Sequence, residues 1–562
     1  MRRLIKTTCA ALAPLAAAAI YLGLTLPPRT VQLAGARPSN VFYGGYHIHS
    51  SRSDGTGTVD EIASAASRVG LSFIILTDHG DARRPPLPPQ YRDGVLCIDA
   101  VEIGTAAGHL VALGLQGPSP YPLAGDPADV LEDVHRQGGW GIIAHPDSPN
   151  PGLRWRAWAV PYDAVEWLNA DSEWRDKTTT RLTATAGRYL LRSPESIASL
   201  FSRPVATLRR WDSVARVRPV VGLAGLDAHA RIGWTEGEEP RRNRTILARP
   251  TYDDMFRTLT QAVRLEKPLG GDATADAALV LGALRAGHTF SVVRAIAAPA
   301  SLEFTATNTV GTVSMGDRLV PDGATVTIEA RVPEAPAAKL VLLHDGVEVA
   351  AGQGSLRLAG ASDAGEYRVE ATYPRWDLPW IVSNPIYGQL AASGRPETEL
   401  PAPVRFVNLP SGAPWTIEHD PTSAGALTTE GHESHFEFRL ASGAPSGQFA
   451  ALVSPVDGDA GFDRVQFTAR ADRPMRLSVQ VRLLGGRDGQ RWRKSVYVDD
   501  MPRLVVLRLQ DFAPVGLETT QRPIVARVHA VLFVVDTVNT TPGTQGSVWL
   551  SGPALGVGNP DR

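Results

Sequence analysis

From residue 41 to about 298, short apolar runs alternate with stretches whose apolar residues recur every three to four positions. FIILTDH (73–79) is an apolar run that ends in polar groups, and VLCIDAVEIG, HLVALGL and WGIIAHPD share that form. Runs of this length predict strands buried on both faces. Between them, VDEIASAASRVG (59–70) puts Val59, Ile62, Ala63, Ala66 and Val69 on one helical face, and ADVLEDVHRQGG (128–139) predicts a helix stopped by glycines. VVGLAGLDAH (220–229) repeats the strand form, and AALVLGALRAGHTFSVV (277–293) predicts a closing helix and strand. This β–α alternation argues for a parallel, barrel-like α/β domain over 41–298. Residues from about 170 to 217 interrupt it. They are helical in pattern and bear several arginines, which predicts an insertion near the mouth of the barrel.

After residue 298 the period changes to two. ATVTIEARV and KLVLLHDG alternate as half-buried strands do. SDAGEYRVEATY holds an Asp-x-Gly-x-Tyr pattern, Asp363 to Tyr367, similar to the tyrosine corner of immunoglobulin-like sandwiches. Residues 299–392 are therefore expected to form an Ig-like β-sandwich, followed by a Gly- and Pro-rich linker (388–403). Residues 404–560 alternate again in HFEFRLA, DRVQFTARA, RLSVQVRLL, LVVLRLQDF and HAVLFVVD. They predict a larger β-sandwich of jelly-roll type, similar in strand pattern to galactose-binding-like modules that contact carbohydrate. Trp415, Trp492 and Trp549 are its candidate glycan contacts, with core packing the default. The chain is thus read as multidomain, α/β followed by all-β.

Composition narrows the function classes. A chain of 562 residues exceeds one hydrophobic core, and a net charge of −2 gives no general field for nucleic acid. The two cysteines, Cys9 and Cys97, leave no internal disulfide once Cys9 is assigned to a removable leader. Residues 1–30 form that leader. Arg2, Arg3 and Lys6 precede an apolar run from about Thr8 to Leu26 that ends at Pro27-Pro28. The run is a signal anchor or a cleaved signal peptide. Both readings place residues after 40 outside the cytoplasm, in the periplasm or at the cell surface, and the first adds a membrane contact through the N-terminal helix.

The candidate chemistry lies at strand ends. In GGYHIHSSRSDG (44–55), His47 and His49 are two apart on a predicted strand and point the same way, so both reach one metal ion. Asp54 sits on the following turn. His79 ends FIILTDH, Glu102 lies in AVEIGT, His109 follows in GHLVALG, His145 ends WGIIAH, and Asp227 and His229 form a second alternating pair in GLDAH. His135 is assigned to the surface, and His288 lies outside the pattern. Gathering so many imidazoles and carboxylates is costly without compensation, which metal ions provide. The donor set suits zinc, manganese or iron, and Glu102 is the natural bridge between two ions. Trp155, Trp158, Trp167 and Trp174 either line a substrate groove or pack under the insertion.

The ordered series HIH…D, TDH, VE, GH, AHP and GLDAH resembles the PHP family, the polymerase and histidinol phosphatase domains, over about 41–298. The resemblance implies a distorted (β/α)7 barrel with a trinuclear metal site and phosphoesterase activity on a phosphorylated small molecule or polymer. Carried over by motif, His47 and His49 with Asp227 and Glu102 would hold one ion. Glu102, His109 and His145 would hold a second, and Asp54, His79 and His229 a third. Asp54 stands where some members have histidine. The implied chemistry is in-line hydrolysis by a metal-activated hydroxide, with Glu102, Asp54 and His229 as the catalytic set. Arg52, Arg83, Arg84 and Arg231 lie near these motifs and are the candidates to orient phosphate. The competing expectations are a cell-surface glycan-binding protein with an inert barrel, and a metal-dependent hydrolase of a non-phosphate bond.

Overall fold

The computed structural model describes residues 21, 23–35, 38–234, 244–391, 403, 405–409, 415–443, 447–456, 461–516 and 522–557. Residues 1–20 of the leader and most of the 388–403 linker lie outside the described residues. The chain is mixed α/β with β-structure predominating, and it divides into two compact units. The first comprises residues 1–80, 85–117 and 134–393, and the second 81–84, 118–133 and 394–562.

The α/β part of the first unit opens with β1 (Val41–Ile48), α1 (Val59–Arg68), β2 (Phe73–Leu76) and β3 (Val95–Asp99). It continues through β4 (Val101–Thr105), β5 (Gly108–Leu113), β6 (Trp140–Ile143) and β7 (Ala164–Asn169); α2 (Pro127–Arg136), between β5 and β6, starts in the second unit and ends in the first. Helix α1 begins where Thr58 and Glu61 satisfy each other's backbone N–H groups in a capping box. Four helices make the insertion: α3 (Ala170–Arg175), α4 (Thr179–Tyr189), α5 (Ser193–Ala198) and α6 (Val205–Ala215). The chain then runs through β8 (Val221–Gly225), α7 (Tyr252–Thr258), β9 (Thr260–Arg264), α8 (Ala273–Ala286) and β10 (Thr289–Val292).

These strands form two sheets. One runs β8-β7-β6-β5-β4, and the other contains β10-β9-β1-β2-β3 in that order. Their margins meet at two isolated parallel bridges, Ile48 with Ala228 and His79 with Glu102. Apolar side chains of both sheets share one core, with Phe73, Leu96, Val111, Ile142, Leu223 and Val263 all buried and Val280 and Leu284 of α8 packed among them. Strand directions are mixed, unlike the uniform β–α alternation expected. β1, β2 and β3 are parallel, as are β6, β7 and β8, but β4–β5–β6 is antiparallel and β9 is antiparallel to both neighbours. The β4–β5 connection, Ala106-Ala107, is too short for a parallel crossover, which forces the hairpin.

Residues 303–387 form two packed antiparallel sheets. The tyrosine-corner expectation is met: the Tyr367 hydroxyl donates to the Ser362 carbonyl at 3.0 Å, and the ring is buried. The expected border at 298/299 is not a break in packing. The sandwich strand Ile381–Ser383 pairs with β10, so one sheet runs from the sandwich into the α/β part. Asn384 seals the junction by hydrogen bonding with the Gly222 N–H and with the Gly222 and Thr289 carbonyls. Buried Arg368 forms a forked ion pair with Asp212 of α6 at 2.9–3.2 Å and a second pair with Glu370. Residues 303–387 thus buttress β8 and α6.

In the second unit, two six-stranded antiparallel sheets face each other across one core. Phe436, Phe467, Val479, Phe533 and Leu550 are buried in it, and so are Trp415 and Trp492. Residues 118–133, expected to belong wholly to the α/β domain, are part of this unit. Arg476 is buried against Asp133 at 2.8 Å, and Asn539 donates to the carbonyls of Pro122 and Ala124. Among the described residues, no helix is long and apolar enough to cross a membrane.

Candidate metal centre

The donors sit where strands finish. β1 delivers His47 and ends just before His49, the turn after it carries Asp54, and β2 leads to His79. β4 carries Glu102, β5 carries His109, β6 runs into His145, and β8 runs into Asp227 and His229. Three of these residues have left-handed backbone, His47 at φ 64°, His145 at 31° and Asp227 at 51°. Non-glycine residues pay for that conformation, and such strain concentrates where a fold must aim a side chain. Gly55 permits the turn that brings Asp54 back, because a Cβ there would lie 2.1 Å from the His49 carbonyl oxygen.

Glu102 is the hub. Its Oε2 lies 3.1 Å from His47 Nε2, 3.1 Å from His49 Nε2 and 3.5 Å from His79 Nδ1. Its Oε1 lies 2.7 Å from both His109 Nδ1 and His145 Nε2. Asp227 Oδ1 is 3.2 Å from His49 Nε2 and 3.5 Å from His47 Nε2. Asp54 reaches His49 at 3.3 Å, His229 at 3.1 Å and His79 at 3.7 Å. The rings pack together, His49 stacking on His229 with centroids 4.3 Å apart.

The structure therefore brings every sequence-predicted donor to one cluster. Three sets of donor atoms lie close enough to share an ion: His49, Asp54, His79 and His229; His47, His49 and Glu102; and His79, Glu102 and His109. These groupings differ in part from the sets implied by the family resemblance. His79 joins Glu102 and His109 where His145 was expected, and Asp227 falls outside all three.

The cluster fits divalent cations. His49 Nε2 is buried and makes no hydrogen bond, although two carboxylate oxygens lie just over 3 Å away, and His145 Nδ1 is likewise buried without a partner among the described residues. Donors that crowd a nitrogen without hydrogen-bond geometry are arranged about a common point. Burial opposes charge on these rings, but the carboxylates outweigh it. Glu166, Asp227 and Glu102 hold His47 well above the ordinary imidazole value, and Asp227 and Glu102 push His49 up to about 10. His145 and His229 are also raised against burial, chiefly by Glu102 and by Asp54 respectively. His79 goes the other way, down to about 4, because burial dominates. Despite burial, the surrounding imidazoles hold Glu102 and Asp227 well below the usual carboxylate range.

Sequence reasoning missed Glu166. Fully buried on β7, it takes His47 Nδ1 on Oε1, while its Oε2 accepts the His145 backbone N–H and Asn169 Nδ2, both at 2.8 Å. Gly225 makes room for it, since a Cβ there would sit 2.5 Å from Glu166 Oε1. A carboxylate behind a ligating imidazole fixes the ring's tautomer and aim. The signal available in the sequence was a lone acid inside the apolar run AVEWLN.

The arginine expectations need correction. Arg52 is not free for substrate, because its guanidinium is held by Asp78 at 2.9 Å and Asp99 at 2.6 Å. Asp78 also accepts from the Ser50 N–H and from the hydroxyls of Ser50 and Ser53, so this group braces the turn that carries Asp54. Arg83 is exposed and pairs with Asp81 and Thr541 within the second unit, to which exposed Arg84 also belongs. Arg231 reaches a donor, with Nη2 3.3 Å from Asp54. His135 pairs with Asp163 at 2.7 Å near the surface, and His288 pairs with Asp317 at 2.8 Å. Trp155 and Trp167 are buried, so packing rather than a groove accounts for them. Half-buried Trp158 stacks under Arg210, and Trp174 donates to Asp171.

No protein-family model matches the chain. An uncharacterized protein of Methanocaldococcus jannaschii is 31% identical over 114 residues, which is 19% of this chain; the chain spans 64% of that protein's length. Solved structures that the chain resembles include a family 11 carbohydrate-binding module from Clostridium thermocellum in complex with a mixed-linked tetrasaccharide. It is 10% identical, covers 27% of this chain and 96% of that one, and has a TM-score of 0.22. A family 29 carbohydrate-binding module with cellulohexaose is 11% identical over 28% of this chain and 94% of its own, with a TM-score of 0.19. PfGH50B is 10% identical over 28% of this chain and 24% of its own, with a TM-score of 0.21.

Proposed function

We propose that the chain is an exported metal-dependent phosphoesterase of PHP type, anchored to a membrane by its leader. The observation that carries this reading is the hub geometry of Glu102, one buried carboxylate with five imidazoles, those of His47, His49, His79, His109 and His145, within 3.5 Å. With neutral imidazoles, Glu102, Asp54, Asp227 and Glu166 leave the cluster strongly negative. About two divalent cations balance it, and a third leaves positive charge that suits an anionic phosphoryl oxygen. Zinc, manganese or iron held by His47, His49, His79, His109, His145, His229, Glu102, Asp54 and Asp227 would polarise the phosphoester and acidify a water.

The chain's own residues do the rest. Glu166 keeps the His47 proton on Nδ1, so Nε2 faces the cluster. Asp54 and His229, 3.1 Å apart, lie nearest Arg231; with both holding an ion neither carries a transferable proton, so the leaving oxygen would take its proton from water. Arg231 orients the anion through charge.

The test uses purified full-length protein with manganese or zinc on an aryl phosphate and on a bis-aryl phosphodiester, before and after chelation. Metal-restored turnover of either supports the reading. Turnover of neither, with metal bound, rejects it and leaves a non-phosphate bond as the target.

A second reading, glycan contact by the C-terminal unit, is favoured by one feature. An open groove of about 510 Å³ is rimmed by Glu437, Arg439, Asp472, Arg473 and Gln545. Its polar rim offers hydrogen bonds to hydroxyls. The tryptophan candidates do not contribute a stacking face. Trp415 and Trp492 are core residues, and Trp549 is clasped between His435 at 4.7 Å and Arg470 at 4.0 Å on its two neighbouring strands. Binding of soluble polysaccharides by titration calorimetry, lost in Arg439→Ala/Asp472→Ala, checks this reading.

A further inference from the structure

We infer that the helical insertion carries a membrane-contact surface, in which Leu190 and Leu191 dip into the apolar boundary of a lipid bilayer beside the exit of the leader. The inference rests on the anchored reading above. Leu190 is 82% exposed and Leu191 61%, and at the end of the leader Leu24 is 82% and Tyr21 51% exposed. These side chains are drawn together by bonds on either side of the two leucines. Arg188 donates to the Thr25 carbonyl at 3.3 Å, and Arg192 donates to the Pro27 carbonyl. The Thr30 N–H and hydroxyl donate to buried Glu195 at 2.9 and 3.0 Å. Residues 25–30 are thus strapped along the corner between α4 and α5, the corner that carries the two exposed leucines.

The sequence before Tyr21 says what covers them. It is apolar from Thr8 onward and preceded by Arg2, Arg3 and Lys6. A run of this kind that stays in a bilayer leaves it near Leu26–Pro28, which brings whatever is strapped to Thr25 and Pro27 to headgroup depth. Leucine and tyrosine side chains are stable at that depth, and exposed Arg29 adds positive charge suited to anionic headgroups. A second copy of the chain would bury the same leucines, but nothing ties such a copy to the leader.

The test places an environment-sensitive dye at Leu191→Cys in a full-length Cys9→Ser background, reconstituted in phosphatidylcholine/phosphatidylglycerol vesicles. Cys97 is buried and stays unlabelled. A control dye goes at Val347→Cys, a 66% exposed position in the Ig-like sandwich. Lipids spin-labelled near the headgroup should remove most of the fluorescence at position 191 and leave position 347 unchanged. Equal quenching at the two positions overturns the inference. So does a dye shift that appears without lipid and grows with protein concentration, which would mark a second copy. Mass spectrometry of the same sample reports whether residues 1–26 are retained. A cleaved leader rejects the anchor, and vesicles added to that cleaved chain then test the leucine surface by itself.

Discussion

Glu166 shows what a single residue does here that its neighbours cannot. It ties the His47 ring, the His145 backbone and Asn169 to one carboxylate; the first two have left-handed backbone and the third ends β7. Glu166→Ala should lower metal affinity by about 10- to 100-fold, read by chelator competition, because ligands lose their fixed aim. Glu166→Gln keeps an acceptor for His47 but faces an amide toward two donors, so its loss should be smaller. Gly225→Ala displaces the carboxylate without removing it and should move affinity the same way. Equal affinity across all three variants would contradict the role. The metal-free rings give a second prediction. His49, pushed up to about 10, is protonated at neutral pH, whereas ligation needs it neutral. Metal binding should therefore release protons, seen as a binding enthalpy that changes with the ionisation enthalpy of the buffer. At this scale the sequence was highly readable. Nine donors lie in motifs short enough for period and polarity to expose them, while Glu166 and the Arg52–Asp78 brace depend on partners dozens of residues away.

The elements around the site show how the sandwich supports it. Arg368 is fully inside, and Asp212 of α6 is its partner across the junction. Removing one half of a buried pair leaves an uncompensated charge, so Arg368→Ala should cost about 3–5 kcal/mol in denaturant unfolding. Beside it, Glu366 has both oxygens buried with no hydrogen-bond partner among the described residues, and burial pushes its pKa from 4.5 up to about 8. Between those values the folded chain holds a proton that the unfolded chain has lost. The contribution of this group to stability therefore falls as pH rises from about 4.5 to about 8 and is flat above. Glu366→Gln should flatten that slope and stabilise the protein at pH 8 relative to the parent; a slope left intact would place the proton elsewhere. Element type was legible from period, but pairing was less so. The β4–β5 hairpin could be read from its two-residue connection, whereas the pairing of Ile381–Ser383 with β10 joins segments about ninety residues apart and leaves no local trace.

At the scale of the whole chain, stability rests on separate cores. Among the described residues, one is shared by the two sheets of the α/β part, and another is closed between the sheets of the C-terminal sandwich. All the clustered metal donors belong to the first unit. A ligand that binds only the folded form stabilises the unit it binds, by about 2.7 kcal/mol per site at a hundredfold excess over its dissociation constant. Calorimetric unfolding should then show more than one transition. Manganese or zinc should raise the one belonging to the α/β part with its β-sandwich buttress, and chelation should lower it again. The transition of the C-terminal sandwich should stay where it is. The buttress sharpens the expectation, because the shared sheet and the Asn384 and Arg368 ties make the sandwich of residues 303–387 melt with the donor cluster, although its own residues include none of the donors. A third, metal-insensitive transition from residues 303–387 would mean that those ties do not couple the two. A shift of both main transitions by the same amount would mean that the cation acts somewhere other than the cluster around Glu102.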